Sequence, residues 1–204
     1  MNGLLLGRSM GHFYYRVVAG IDRRLRTIFS RILSARYRLS GVQIGSNCSF
    51  EAGVKFQYGW RTSFGERCII DAHAQFKCPT AVKPMHGYNI NIDKNVFIGR
   101  GTIIDANLSV KVGQNTFIAP YCFISDTSHN FSDTIKPIRL QGCNYKPVEI
   151  GEDVWLGAHV MVLAGVKIGK GCVVGANSVV TRDLPPYVVA VGAPARIIRS
   201  RLEC

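Results

Sequence analysis

Five histidines are the first candidates for chemistry: His12, His73, His86, His129 and His159. No two lie within ten residues of each other, and the seven cysteines contain no CxxC pair. Neither a close-spaced histidine site nor a thiolate site for zinc is therefore indicated, and no metal is expected. His129 stands apart. It sits in IAPYCFISDTSHNF, directly ahead of residues 130–149, which break the pattern of the surrounding chain. An imidazole, with an ordinary pKa of ~6.5, can take a proton from a hydroxyl near neutral pH, which contributes typically ~10²–10⁴ in rate. Asp126 and Asp133 are close enough in sequence to orient that ring, and each reads equally as a solvated turn carboxylate. Asp126 and Asn130 are also candidates to touch an acceptor. His159, in LGAHV, reads as a cofactor neighbour or surface residue, and His73 and His86 lie far from His129.

The elements that position these residues follow from a six-residue period. Large apolar residues recur at Ile44, Phe50 and Phe56, then at Phe64, Ile70 and Phe76, then at Ile92, Ile98 and Ile104. The series continues through Val112, Ile118 and Ile124, then Ile150, Leu156, Val162, Ile168, Val174 and Val180. Neither a helix nor an ordinary alternating strand has this period; a β-solenoid does, each hexapeptide forming one flat side of a coil. Four places after most of these residues stands a small or β-branched one, such as Val54, Cys68, Thr102, Cys122, Ser128, Val160 or Cys172, with Trp60, Leu108 and Leu184 bulkier. That second register predicts inward corner positions and makes Cys48, Cys68, Cys122 and Cys172 small core residues. About six triangular coils over 41–190 are expected, with loops at 82–91 and 130–149, and His129 ending the fourth coil at a corner. Residues 191–204 form a C-terminal extension, read as containing a short helix.

Residues 1–40 lack the hexad and carry eight arginines against one acid, Asp22. From Val17 to Leu39 the apolar residues return at helical spacing, so an amphipathic helical segment is expected. It can cap the open end of the solenoid, lie on an anionic membrane surface, or do both. Over the whole chain, 47% hydrophobic and 19% charged residues describe a folded protein, and a net charge of +12 points to an anionic partner. Nucleic acid is not expected, because the basic residues lack interleaved aromatic rows for stacking. No run approaches the ~20 apolar residues of a membrane span, and scattered free thiols suit a reducing cytoplasm.

The segments IGEDVWLGAHVMVLAGVKIGKG and VGANSVVTRDLPPYVVAVGAPARIIR resemble the hexapeptide-repeat acyltransferase superfamily, and within it the maltose/galactoside and polysaccharide O-acetyltransferase branch. The resemblance covers about residues 42–199. It implies a single-stranded left-handed parallel β-helix, all-β in class, acetyl-CoA as co-substrate, direct transfer without a covalent enzyme intermediate, and a homotrimer with shared grooves. The family's catalytic histidine follows an I-A-P turn, which Ile118-Ala119-Pro120 and His129 match. Ala119, Trp155, Ala158, Ala176, Thr181, Arg182 and Arg196 occupy its coenzyme-contacting positions. Where the simple sugar acetyltransferases carry an asparagine for the acceptor, this chain reads Ile98-Gly99-Arg100-Gly101. The expected acceptor is therefore a surface-polysaccharide sugar, free or on a lipid carrier at the inner membrane face, with an amino sugar (N-acetylation) as the alternative. A γ-type carbonic anhydrase would need two neighbouring histidines. A non-enzymatic solenoid scaffold would leave His129 and the GAPARIIR tail unexplained.

Overall fold

The computed structural model describes residues 25, 27–79 and 87–202. Thr80, His86, residues 82–86 of the first expected loop and all of 1–24, His12 included, lie outside them.

The hexad folds into a parallel β-helix with three flat faces. Face A stacks Gln43–Ile44, Thr62–Phe64, Ile90–Ile92, Val110–Val112, Val148–Ile150 and Lys167–Ile168. Face B stacks Ser49–Phe50, Ile69–Ile70, Phe97–Ile98, Phe117–Ile118, Trp155–Leu156, Val173–Val174 and Val188–Val191. Face C stacks Lys55–Phe56, Gln75–Lys77, Ile103–Asp105, Phe123–Ser125, Met161–Val162 and Val179–Val180. Successive strands pair in parallel and in register, as in Phe123↔Met161 and Ile124↔Val162. Each large hexad residue therefore sits directly above its counterpart one coil earlier.

The second register also points inward. Cys68, Ala74, Val96, Thr102, Cys122, Val154, Val160, Cys172 and Ser178 are all buried. Its polar members bridge coils: Cys122 Sγ donates to Gly157 O (3.2 Å), Cys68 Sγ to Asp93 O (3.0 Å) and Thr116 Oγ1 to Gly151 O (2.9 Å). Burial pushes the Cys122 thiol up to about 11, so it stays a donor. Ser128, Leu108 and Trp60 depart from the register: the first two are exposed and the third is half-buried. All three fall at the corner between face C and the next face A, where the chain leaves the coil.

The open N-terminal end needs a cap, because the first coil has no coil beneath it to satisfy its backbone. A helix over 27–39 supplies one. Ser30 Oγ accepts the Phe50 amide (2.9 Å), Tyr37 Oη donates to Val54 O (3.0 Å), and Arg38 Nη2 donates to Ile44 O (3.2 Å) and Gly45 O (3.1 Å). The helix stops at Gly41, whose φ of +92° suits a residue without Cβ. Tyr37 packs edge-on against Phe50 and Phe56 and opens an aromatic core that includes Phe64 and Phe76. In later coils Ile, Leu and Val replace these rings.

At the other end the expected short helix is a strand. Arg196–Ser200 pairs antiparallel with Val188–Val191, after a turn through Gly192 at φ +102°. The free edge of Val188–Val191 offers unpaired backbone groups, and β-branched Ile197 and Ile198 suit a strand, so edge pairing prevails over helix formation.

Candidate active site

The interruption begins earlier than the period alone suggests. Face C of the fourth coil ends at Ser125, and Thr127–His129 pairs antiparallel with Cys143–Tyr145. His129 therefore does not end a hexapeptide of the coil. It stands on a hairpin strand that projects from the corner between faces C and A.

Asp126 is the root of this hairpin. Its carboxylate is fully buried and accepts the amides of Asn107 (3.0 Å), Leu108 (2.6 Å) and Ser109 (2.7 Å), together with the Thr127 hydroxyl (2.9 Å). This corrects the expectation that Asp126 orients the imidazole or touches an acceptor: all its accepting capacity is spent on neighbouring corner loops. The polar row continues along that corner. Asn89 Nδ2 donates to Asn107 O and Leu108 O, and Asn89 Oδ1 accepts Arg61 Nε (2.7 Å). Asn130 likewise serves the hairpin, donating through its amide nitrogen to Gln141 O (3.2 Å). Asp133 caps the tip, its Oδ1 accepting the amides of Ile135 (2.8 Å) and Lys136 (3.0 Å). Those two amides hold its carboxyl below the ordinary carboxylate range.

The partner of His129 is Cys143, whose Sγ lies 3.4 Å from Nδ1. Sequence reading missed it, since a cysteine fourteen residues away carries no periodic or spacing signal. Beside the hairpin, face C presents Phe123, Met161, Leu163 and Val179, partly exposed, as an apolar floor.

The expected coenzyme-contacting residues divide between the edges of face C. Ala158 and Ala176 stack on successive coils at the corner between faces B and C, where Asn177 N donates to Ala158 O (2.9 Å). Ala119 belongs to the adjoining column of Gly99, Gly157 and Gly175. In that column a Cβ on Gly157 would fall 2.5 Å from Ala176 N, so the backbones there are in closest approach. Thr181 and Arg182 follow Val180 at the opposite, hairpin-bearing edge, both exposed. The tail crosses the end of face C, with Ala195 N donating to Val179 O (2.8 Å), and brings exposed Arg196 to the same end of the stack. Trp155 is not on this face. It lies around the corner on face B, 52% exposed, in register with Phe117 and Val173. His159 stacks on Tyr121 (ring centroids 5.2 Å apart), away from the hairpin. Among the described residues no group of three or more His, Cys, Asp or Glu is arranged to hold a metal.

The bacterial transferase hexapeptide family (six repeats) matches residues 147–182, the fifth and sixth coils. Over these coils the chain is similar to hexapeptide-repeat transferases. Among curated relatives, the galactoside O-acetyltransferase of Escherichia coli (strain K12) is 41% identical over 115 residues, 56% of this chain and 55% of the relative. Other curated relatives are covered over 39% to 62% of their length, so the chain spans about half the length of the proteins it matches. A solved galactoside acetyltransferase in complex with coenzyme A superposes with a TM-score of 0.54 at 28% identity, covering 78% of this chain and 64% of that one. AntD, an N-acyltransferase from Bacillus cereus solved with dTDP and 3-hydroxybutyryl-CoA, shares the fold with a TM-score of 0.67 at 21% identity, covering 82% and 88%. These likenesses fit a left-handed winding of the β-helix.

Proposed function

We propose that the protein is an acetyl-CoA-dependent O-acetyltransferase acting on a sugar hydroxyl, with His129 as general base. The observation that carries this reading is the placement of His129 on a hairpin at one edge of an apolar face. Thr181, Arg182 and Arg196 stand at the far end of that face, two coils on. Two coil spacings are ~10 Å, within the span of a pantetheine arm laid along face C. The Arg182 and Arg196 guanidinium groups suit the coenzyme phosphates. Ala158 and Ala176 keep one edge low. The coenzyme A held by the galactoside acetyltransferase structure supports the assignment of the co-substrate.

In the reaction, His129 takes the proton of the acceptor hydroxyl as its oxygen attacks the thioester carbonyl. The tetrahedral oxyanion is met by a backbone amide. Collapse breaks the C–S bond, and the imidazolium returns its proton to the departing thiolate, so the base is regenerated without a covalent intermediate. A surface-polysaccharide sugar is the acceptor this reading favours.

A trimer is part of the same proposal. Face B carries exposed Ile69, Phe117 and Trp155, and the hairpin tip exposes Phe131 and Ile135, surfaces a second copy would cover. The outward side of the capping helix is also apolar, at Leu25, Ile28, Phe29 and Ile32, with Arg31, Arg36 and Arg38 exposed around it. That combination supports peripheral attachment to an anionic membrane. Flotation of the full chain with anionic but not neutral vesicles, lost in Ile28→Asp/Ile32→Asp, is expected; no flotation, or a change of oligomer size alone, would refute the attachment.

The activity is tested by acetyl-CoA turnover against nucleotide sugars, oligosaccharides and lipid-linked glycans, with hydroxyl and amine acceptors compared. His129→Ala should lower turnover about 100-fold or more while leaving coenzyme A affinity unchanged. Undiminished turnover would overturn the assignment.

A further inference from the structure

In the hairpin that carries His129, Cys143 is its direct antiparallel partner, and Tyr145 is the partner of Thr127. In such a ladder alternate residues share a face, so His129, Thr127, Cys143 and Tyr145 lie on one side of the hairpin. The 3.4 Å approach of Cys143 Sγ to Nδ1 ties one ring nitrogen to the hairpin. The other nitrogen, across the ring, must then point away from it.

Which nitrogen keeps the proton is set by the hydrogen bond the other one makes. If the thiol donated to Nδ1, the neutral ring would carry its proton on Nε2 and could not act there as a base. If the sulfur accepts from Nδ1–H, Nε2 keeps a free lone pair. The second arrangement is the one that a general base at Nε2 requires. Tyr145 shares that side of the hairpin with Cys143, and its ionisation is raised, first by slight burial and then by Cys143. The nearby carboxylates are engaged elsewhere: Asp126 with the corner amides and Asp133 with the tip of the hairpin.

We propose that Cys143 is the positioning residue of His129, its sulfur accepting the Nδ1 proton so that Nε2 faces the acceptor as an unprotonated base. This inference rests on the reading of His129 as general base. Cysteine sulfur is a weak acceptor, so a serine hydroxyl at this position preserves the arrangement and an alanine abolishes it.

The test reads the tautomer directly, from the ring ¹⁵N shifts of His129 in the full-length protein, alongside steady-state kinetics. The wild type and Cys143→Ser should show the Nδ1–H form. Cys143→Ala should move towards Nε2–H and lose about tenfold or more in kcat with KM for acetyl-CoA unchanged. An Nε2–H ring in the wild type, or Cys143→Ala with unchanged ring shifts and unchanged kcat, would overturn the proposal. Failure of the general-base reading is separable: it appears as full turnover in His129→Ala, whereas the ring shifts are read without any turnover.

Discussion

The coils and the excursion at 126–147 are built on opposite rules. In a coil, every inward residue is stacked on its counterpart and every strand bonds in parallel to the next, so Ile98, Ile104, Ile118, Ile124 and Leu156 have no exposed surface. In the excursion, Phe131, Ile135, Ile138 and Leu140 face solvent, Ile135 being 94% exposed, and order comes from a few polar ties at Asp126, Asn130, Asp133 and Gln141. A repeat that must satisfy the same packing constraint every six residues leaves little room for a reactive side chain. The excursion escapes that constraint, and His129, the proposed base, stands on it.

Four perturbations probe this division. The largest stability effect belongs to the coil: Leu156→Ala should cost about 2–5 kcal/mol in urea unfolding, because a fully packed site cannot collapse around the cavity. Asp126→Ala acts at the junction of the two regions. It strips three backbone amides of their acceptor and should cost about 2–3 kcal/mol, and a loss below about 0.5 kcal/mol would mean the corner loops hold themselves. Replacing the tip 131–140 by a short flexible linker should change stability by less than about 1 kcal/mol, since few of its apolar groups are buried, yet acetyl-CoA turnover should fall sharply. A tip that proved essential for folding would erase the contrast.

The smallest effect is one of pH. Burial raises the Asp105 carboxyl above its ordinary 3.8, with Lys77 opposing and the Asp126 charge adding to the rise, and its Oδ1 is buried without a partner. An acid with a raised folded pKa favours the folded state when protonated, so its contribution is lost as pH rises from about 3.8 through the raised value. Asp105→Asn should therefore raise the urea midpoint at pH 7 and leave it unchanged well below pH 3.8.

Much of the scaffold was legible before any coordinates, because the hexad is a local rule repeated along the chain. The readings that failed are those that extended the rule past its end. Ser128 was counted as an inward corner residue, but the chain has already left the coil at Asp126. The extension 191–204 is expected to contain a short helix, although the unpaired edge of Val188–Val191 draws Arg196–Ser200 into a strand. Asp126 is indistinguishable in sequence from a turn carboxylate available for catalysis, and only the convergence of three amides from a preceding coil corner shows that it is occupied.

The sequence by itself determined the coil: a large residue every six positions can be buried only by winding the chain on itself, and His129 is conspicuous where that winding stops. Tertiary structure decided what His129 meets. The pairing of His129 with Cys143 depends on the register of an antiparallel hairpin closed by an irregular loop, and the polar row behind it joins residues from four successive corners. No period in the chain encodes either arrangement. Both arise because parallel stacking brings distant corners to one edge, where the loops must satisfy each other's backbone groups.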